Sequence, residues 1–449
     1  AERAALAATE LAPGLALNPL MAAGPAGATF LDLWRAGQLA VVQNVGYPAQ
    51  SRSHFRSSDI WTSASDSNVV LATGWLGRWF AGEQPDYPYN VRPGDDPLAV
   101  QIDFALSPVF QGPQSEMGLA VTDPTHYTPG SAYVDDPPPD TAQGAELGFV
   151  RSLLTQSDVY GKRFHDLFAG GARSRVAYPA DNELALKLQK VAWCIASGMR
   201  TRVYFVEQTG YDTHRDQRST QRGGTGQGEL LFRLAEAIAT FQADLAALGV
   251  ADRVAGLTYS EFGRRVEDNG GAGTDHGAAA PQFLFGAPVA GDLYGARPDL
   301  GDLDDNGDLR WRYDFRQLYA AVLGDWFGAS PALRGGVLNQ PADAAPFGID
   351  FEPLGGGAAR SLFRSPLRDL PEPPAFRLLA NAPNPFVAAT TIRFELARDE
   401  EEAIALREVS PGGRSACRLN GALCSLAQLR ELGNLMLEMP GGQVINMPR

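Results

Sequence analysis

Leu39-Ala40-Val41-Val42-Gln43-Asn44-Val45 reads as a buried strand, because its apolar residues run on without the alternation of a half-exposed one. Thr29 to Gly37, just before it, reads as a short helix carrying Phe30, Leu31, Leu33 and Trp34, and Gly46-Tyr47-Pro48 turns the chain after it. The alternation recurs further along. Asp181 caps a periodic run with Leu184, Leu188, Val191 and Ile195, Gly198 ends it, and Arg202 to Glu207 follows as a strand. Glu229 to Leu248 is a second amphipathic helix, Val254 to Tyr259 a further strand and Gln282 to Phe285 a short one. Helices and strands at this spacing are βαβ units, which predicts an α/β fold with a mostly parallel central sheet.

The chain has 449 residues, enough for one large α/β domain with an appendage or for two medium domains. With 44% hydrophobic and 20% charged residues it reads as folded and soluble. A net charge of -14 argues against nucleic acid and anionic lipid as partners, since both need clustered Lys and Arg. Cys194, Cys417 and Cys424 form no disulfide framework and have no Cys-x-x-Cys spacing, which leaves Cys417 and Cys424 as the one candidate pair. No window supplies the roughly 18 uninterrupted apolar residues of a membrane span. The start, Ala1 to Leu6, has neither an initiator Met nor a signal-type apolar core, and reads as a processed or truncated terminus.

Between Pro85 and Asp140 the chain is rich in Pro, Asp and Gly and reads as loops with one or two strands, Leu98 to Asp103 among them. Residues 1–359 form the α/β domain, 360–374 a Pro-rich linker, and 375–449 a small β-sandwich-like unit that opens with turn chemistry and the alternating run Thr390 to Leu396.

The chemistry concentrates in two Gly-bounded turns, Gly210-Tyr211-Asp212-Thr213-His214 and Gly273-Thr274-Asp275-His276-Gly277. Of five histidines, His54, His214 and His276 lie in Gly/Ser/Asp-rich turns rather than on apolar faces. Alone, Asp212 and His214 are also what a side-chain-capped turn needs, and Asp275 and His276 what a satisfied loop pair needs. Together, carboxylate oxygen and neutral imidazole make a donor set for zinc, with manganese or iron as alternatives, and suit copper(I) poorly. One or two such divalent ions would activate water or a serine hydroxyl and polarise a phosphoryl or sulfuryl oxygen, which is ester hydrolysis. Asp212, His214 and the pair Ser260-Glu261 fall just past strand ends, where the ligand crevice of an open parallel sheet lies.

Ser51-Arg52-Ser53-His54-Phe55-Arg56-Ser57 adds a hydroxyl, an imidazole and guanidinium groups at a strand-to-helix turn. The plainer reading is a Ser N-cap with exposed arginines. Asp302, Asp304, Asp305, Asn306 and Asp308 resemble a calcium loop loosely, lack its bidentate Glu, and read as a solvated turn. The glycine runs at 223–226 and 355–357 follow no strand in phosphate-loop order and read as loops.

Several blocks jointly resemble an uncharacterised bacterial family related to the alkaline phosphatase and sulfatase superfamily, often called sulfatase-like and often Tat-exported. They are Leu39 to Pro48, Ser51 to Phe55, Gly74-Trp-Leu-Gly77, Gly210 to His214, Ser260-Glu-Phe-Gly-Arg264, Gly273 to Gly277 and Asp314-Phe-Arg-Gln317. The resemblance implies helices on both faces of the sheet and a two-metal site. Asp212, His214 and His276 would hold one metal, Glu261 and Asp275 would assist or hold a second, and Ser53 would attack with Arg52 and His54 beside it, Ser51 being the other candidate nucleophile. The chain departs from the superfamily twice: Glu261-Phe262-Gly263 stands where Asp-His-Gly is usual, and no first strand with an Asp ligand precedes Leu15. The sulfatase pattern of Cys or Ser followed by Pro-Ser-Arg is unmatched, which argues against formylglycine chemistry.

Asn381-Ala-Pro-Asn-Pro-Phe386 and Thr390-Thr-Ile-Arg-Phe394 resemble the opening of a sorting domain of Bacteroidota and their relatives. That resemblance implies outer-membrane secretion machinery as a partner and a secreted, periplasmic or cell-surface address. The leading expectation is an exported metal-dependent hydrolase-like protein acting on a phosphate or sulfate ester of a small molecule or glycan. The alternative is a catalytically inactive surface or periplasmic binding protein that retains the fold.

Overall fold

In the computed structural model, Leu39–Gly46 is a strand whose eight residues are all buried. The structure describes residues 8–24, 29–126, 138–169, 171, 173–218, 226–341, 344–364 and 366, together with five strands beyond them. The chain divides into two compact units, 1–367 and 368–449. In chain order the first unit runs through β1 (Glu10–Ala12), β2 (Leu15–Ala16), α1 (Phe30–Arg35), β3 (Leu39–Gly46), α2 (His54–Ser63), α3 (Trp75–Glu83), β4 (Ala99–Gln101), β5 (Leu119–Ala120), α4 (Ala142–Phe168), α5 (Glu183–Ala196), β6 (Val203–Phe205) and α6 (Gln227–Ala247). It continues through β7 (Gly256–Leu257), β8 (Arg264–Asp268), β9 (Thr274–His276), β10 (Ala280–Phe285), β11 (Leu293–Tyr294), β12 (Tyr313–Asp314), α7 (Phe315–Ala321), α8 (Pro331–Val337), β13 (Asp350–Phe351) and β14 (Arg360–Ser361).

Two apolar clusters meet across β3, because successive residues of a strand face opposite ways. Ala40 and Val42 pack into one with Ile60 and Trp61 of α2 and Trp75 of α3. Leu39 and Val41 pack into the other with Phe30 of α1, Ala192 of α5 and Ile238 of α6. Each fully buried large side chain, such as Trp61 or Phe30, contributes about 1.5–3 kcal/mol. The strand therefore has to be apolar on both sides, which is why its sequence does not alternate.

Strands β11 and β12 pair with β3 in parallel, and β4, β5 and β6 form a separate parallel sheet. The central sheet is mixed: β3, β7, β11 and β12 run one way, and β10, which lies between β3 and β7, runs antiparallel to both. A parallel return needs a long crossover, usually a helix. Residues 258–279 instead form the β8–β9 hairpin, so the chain re-enters the sheet at the end it left.

Two elements differ in detail from the sequence expectation. Helix α5 is capped by Asn182, which accepts from the Ala185 N–H, and not by Asp181. The Gly273 to Gly277 run is a strand, β9, with Arg264 as the register partner of His276. Near the end of β3, Asn44 adopts φ of 55° and the register with β10 slips there. This bulge bends the strand just before the chain enters the 47–53 turn.

In the second unit, β15 (Phe376–Leu378), β16 (Ala389–Leu396), β17 (Glu402–Val409), β18 (Ser415–Leu419) and β19 (Ala422–Cys424) pair antiparallel in chain order. Cys417 and Cys424 are register partners. The Asn381 to Phe386 motif lies outside the described residues. Among the described residues, no helix is long and apolar enough to cross a membrane.

Candidate metal centre

Three imidazoles converge on one carboxylate oxygen at the end of the sheet where β3 and β7 finish and β10 begins. His54 opens α2, after β3. Asp212 and His214 lie on the loop that follows β6, and His276 ends β9, just ahead of β10. Around Asp212 Oδ1 stand His214 Nε2 at 2.9 Å, His276 Nε2 at 3.0 Å and His54 Nε2 at 3.4 Å. The two ring nitrogens His214 Nε2 and His276 Nε2 are 2.9 Å apart.

The other nitrogen of each ring meets a group that can only accept. His54 Nδ1 is 2.7 Å from Glu261 Oε1, His214 Nδ1 is 3.1 Å from Asp275 Oδ1, and His276 Nδ1 is 2.7 Å from the Arg52 carbonyl. Each Nδ1 therefore carries the proton and donates it, which leaves the three Nε2 atoms as lone pairs around Asp212 Oδ1, those of His214 and His276 also facing each other. Lone pairs held this close repel unless a cation lies among them. His54 Nε2 is in addition buried without a hydrogen-bond partner, and a buried polar atom without a partner needs a reason.

The spacing suits a small ion. A tetrahedral site with bonds of about 2.0–2.1 Å has edges of about 3.3 Å between donors; the three Nε2 atoms lie 2.9 to 3.4 Å from Asp212 Oδ1, and His54, Asp212 and His276 form a set whose ligand atoms are all within 4.8 Å of one another. Imidazoles whose outer N–H groups are anchored on carboxylates or carbonyls form the usual outer shell of a metal site. The Asp212 side chain is 51% exposed, so the cluster is open on one side. An open depression lined by His214, Arg215, Asp216, Asn269 and Gly271 adjoins it.

Arg264, on β8, ties the two arms together. Its Nη2 donates to Asp212 Oδ1 at 2.6 Å and to the Tyr211 carbonyl at 2.9 Å, while Nη1 donates to the Thr274 carbonyl at 2.7 Å. Burial raises the Asp212 pKa, but the imidazoles around it and the hydrogen bond and charge of Arg264 outweigh it, holding the carboxyl well below the usual carboxylate range. The Asp275 carboxyl is also lowered, first by the hydrogen bond from Asn269 and then by that from His214. Gly273 permits the close approach: a Cβ there would overlap the backbone of His214.

The structure thus brings Asp212, His214 and His276 into one cluster and adds His54, read from sequence as a neighbour of the nucleophile. Glu261 and Asp275 stand one shell out, as acceptors for His54 and His214. Phe262 stacks on the His276 ring, with centroids 4.3 Å apart and planes at 28°. The Arg52 guanidinium turns instead to Asp308, at 2.9 Å from Nε, and only its carbonyl touches the cluster. Ser53 is the exposed N-cap of α2, and its hydroxyl makes no capping bond. Sequence reasoning gave no role to Arg264 or Asn269; the one signal was the position of Arg264 at the end of the Ser260 to Arg264 block.

Residues 192–335 match the model of a family described as a protein of unknown function (DUF1501). That span includes Asp212, His214, Glu261, Arg264 and His276, and His54 lies before it. No curated protein matches the chain.

Proposed function

We propose that this chain is an exported, metal-dependent hydrolase-like protein that acts on a phosphate or sulfate ester and holds a single divalent ion, zinc foremost, between Asp212, His214, His276 and His54. The observation that carries the reading is the convergence of three Nε2 lone pairs on Asp212 Oδ1, each ring fixed by an acceptor on its far side. Bound there, such an ion supplies Lewis-acid polarisation of a phosphoryl or sulfuryl oxygen. Asp212 orients the donors and balances charge, and Glu261, Asp275 and the Arg52 carbonyl hold the tautomers.

Ser53 is the hydroxyl proposed to attack. It sits between Arg52, whose carbonyl holds His276, and His54, and its side chain is not spent on capping the helix. The reading keeps to one ion, because Glu261 and Asp275 already serve as outer acceptors and Phe262 covers the His276 ring face. It includes an alkaline phosphatase-like arrangement for the first unit, small-molecule or glycan esters as substrates, and export through the C-terminal segment. Phe262, where the superfamily has an imidazole, also favours a second reading, a surface or periplasmic binding protein that holds metal without turnover.

The test is metal content of the purified protein, then hydrolysis of aryl phosphate and aryl sulfate by wild type and His276→Ala. One bound zinc with His276-dependent turnover is expected. Absence of any tightly bound transition metal would remove the metal reading, and one tightly bound ion without turnover would leave the binding protein.

A further inference from the structure

We infer that Asp308, the last member of the acidic run 302–308, is a positioning residue for His276 and acts through Arg52; the inference rests on the metal reading above. The run was expected to be a solvated turn, and part of it is: Asp304 Oδ1 accepts from the backbone N–H groups of Asn306 and Asp308. Asp308 itself is fully buried, at 0% exposure. A buried carboxylate needs partners, and it has two guanidinium groups. Its Oδ2 accepts from Arg52 Nε at 2.9 Å and from Arg52 Nη2, and its Oδ1 is ion-paired with Arg265 Nε at 3.4 Å, without a hydrogen bond between them.

These two arginines belong to the two segments that adjoin His276. The Arg52 carbonyl accepts the His276 Nδ1–H at 2.7 Å. Arg265 is on β8, next to Arg264, the register partner of His276 on β9. One buried carboxylate therefore clamps the loop that fixes the tautomer of His276 to the strand beside it. Another tie holds the same loop, from Gln50 Nε2 to the Ala278 carbonyl at 2.8 Å, and it leaves Arg52 itself unanchored. Without the Asp308 charge, two guanidinium groups would face each other across a neutral group. Their repulsion would move Arg52 and its carbonyl away from the ring.

The experiment is zinc affinity by chelator competition, together with the visible spectrum of the cobalt(II)-loaded protein, for wild type, Asp308→Asn and Asp244→Asn. Asp244 is an equally buried carboxylate remote from the cluster in its contacts, accepting from the Arg175 N–H and the Tyr178 hydroxyl. Loss of an outer-shell partner weakens metal binding by roughly 10- to 100-fold. Asp308 acts one step further out, so about a tenfold loss is expected, with a changed cobalt spectrum, while Asp244→Asn keeps wild-type affinity and spectrum. Unchanged zinc affinity and spectrum in a folded Asp308→Asn protein overturns the inference, as does an equal loss in Asp244→Asn. Wild-type protein that binds no zinc overturns the metal reading itself. If Asp308→Asn does not fold, Arg52→Ala, which keeps the carbonyl and removes the anchor, is expected to show the tenfold loss, and its unchanged affinity overturns the inference.

Discussion

Glu261→Ala separates an outer-shell acceptor from a metal ligand. The side chain accepts from His54 Nδ1 at 2.7 Å and from Ser260 Oγ at 3.1 Å, while its backbone carbonyl is held independently by the Ser57 hydroxyl. Truncation therefore frees the His54 ring without releasing the backbone. An outer-shell acceptor is worth roughly 10- to 100-fold in metal affinity, or about 1.4–2.7 kcal/mol. At zinc equal to 100 times the wild-type dissociation constant, the ion stabilises wild type by about 2.7 kcal/mol. The same zinc concentration would stabilise Glu261→Ala by about 1.4 kcal/mol after a tenfold loss, or about 0.4 kcal/mol after a hundredfold one. The assay is urea unfolding with and without zinc, beside a chelator-competition titration. Unaltered affinity, or a stability loss that is the same with and without zinc, would refute the outer-shell role. Loss of one donor from the cobalt(II) spectrum would instead make Glu261 a ligand.

Gly273→Ala puts a Cβ into the backbone of His214 and is expected to destabilise the protein by about 1–3 kcal/mol, read by urea unfolding without metal; an unchanged midpoint contradicts the close-approach account. Ser53→Ala is expected to abolish ester turnover while zinc binds as in wild type, measured by product release and by metal content; retained turnover would assign the attack to another nucleophile. Zinc affinity is expected to fall as the pH is lowered, because protons compete with the ion for the ring nitrogens. Metal binding requires neutral rings, whereas Asp212 is held well below the usual carboxylate range against the effect of burial. A titration of affinity against pH checks this, and an affinity that does not fall with added acid would rule out imidazole ligands.

The strand Leu39–Gly46 and the helix Phe30–Arg35 were legible because burial on two faces, or on one stripe, dictates composition directly. Strand direction was not legible. A short apolar run such as Phe283-Leu284-Phe285 reads the same in a parallel or an antiparallel strand, and direction follows from the connection before it. The β8–β9 hairpin that sets that connection is mostly polar, Arg-Arg-Val-Glu-Asp paired with Thr-Asp-His, and gives no periodic signal. Helix α4 went unread as well. Its first half leaves Leu147, Val150 and Leu154 exposed, so its pattern lacks the clean division of faces that marks α5.

The cluster was legible to the extent that its chemistry is scarce. Five histidines in 449 residues make three in Gly- and Ser-rich turns conspicuous, and the grouping of Asp212, His214 and His276 was what the family resemblance implied. The outer shell was not legible, because what turns an imidazole into a donor is the partner of its other nitrogen, and that partner comes from far along the chain. His54 takes Glu261 and His214 takes Asp275, 207 and 61 residues away. His276 takes a backbone carbonyl, which has no sequence signature at all. Adjacent carboxylates such as Asp275 look like ligands in sequence for the same reason that they serve as acceptors in space: both roles require a lone pair near an imidazole. Only geometry separates the roles, and here the carboxylates lie at Nδ1 while the convergent face is Nε2. A residue's distance from the shared Asp212 oxygen, rather than its type, therefore decides which substitutions should abolish metal binding and which should only weaken it.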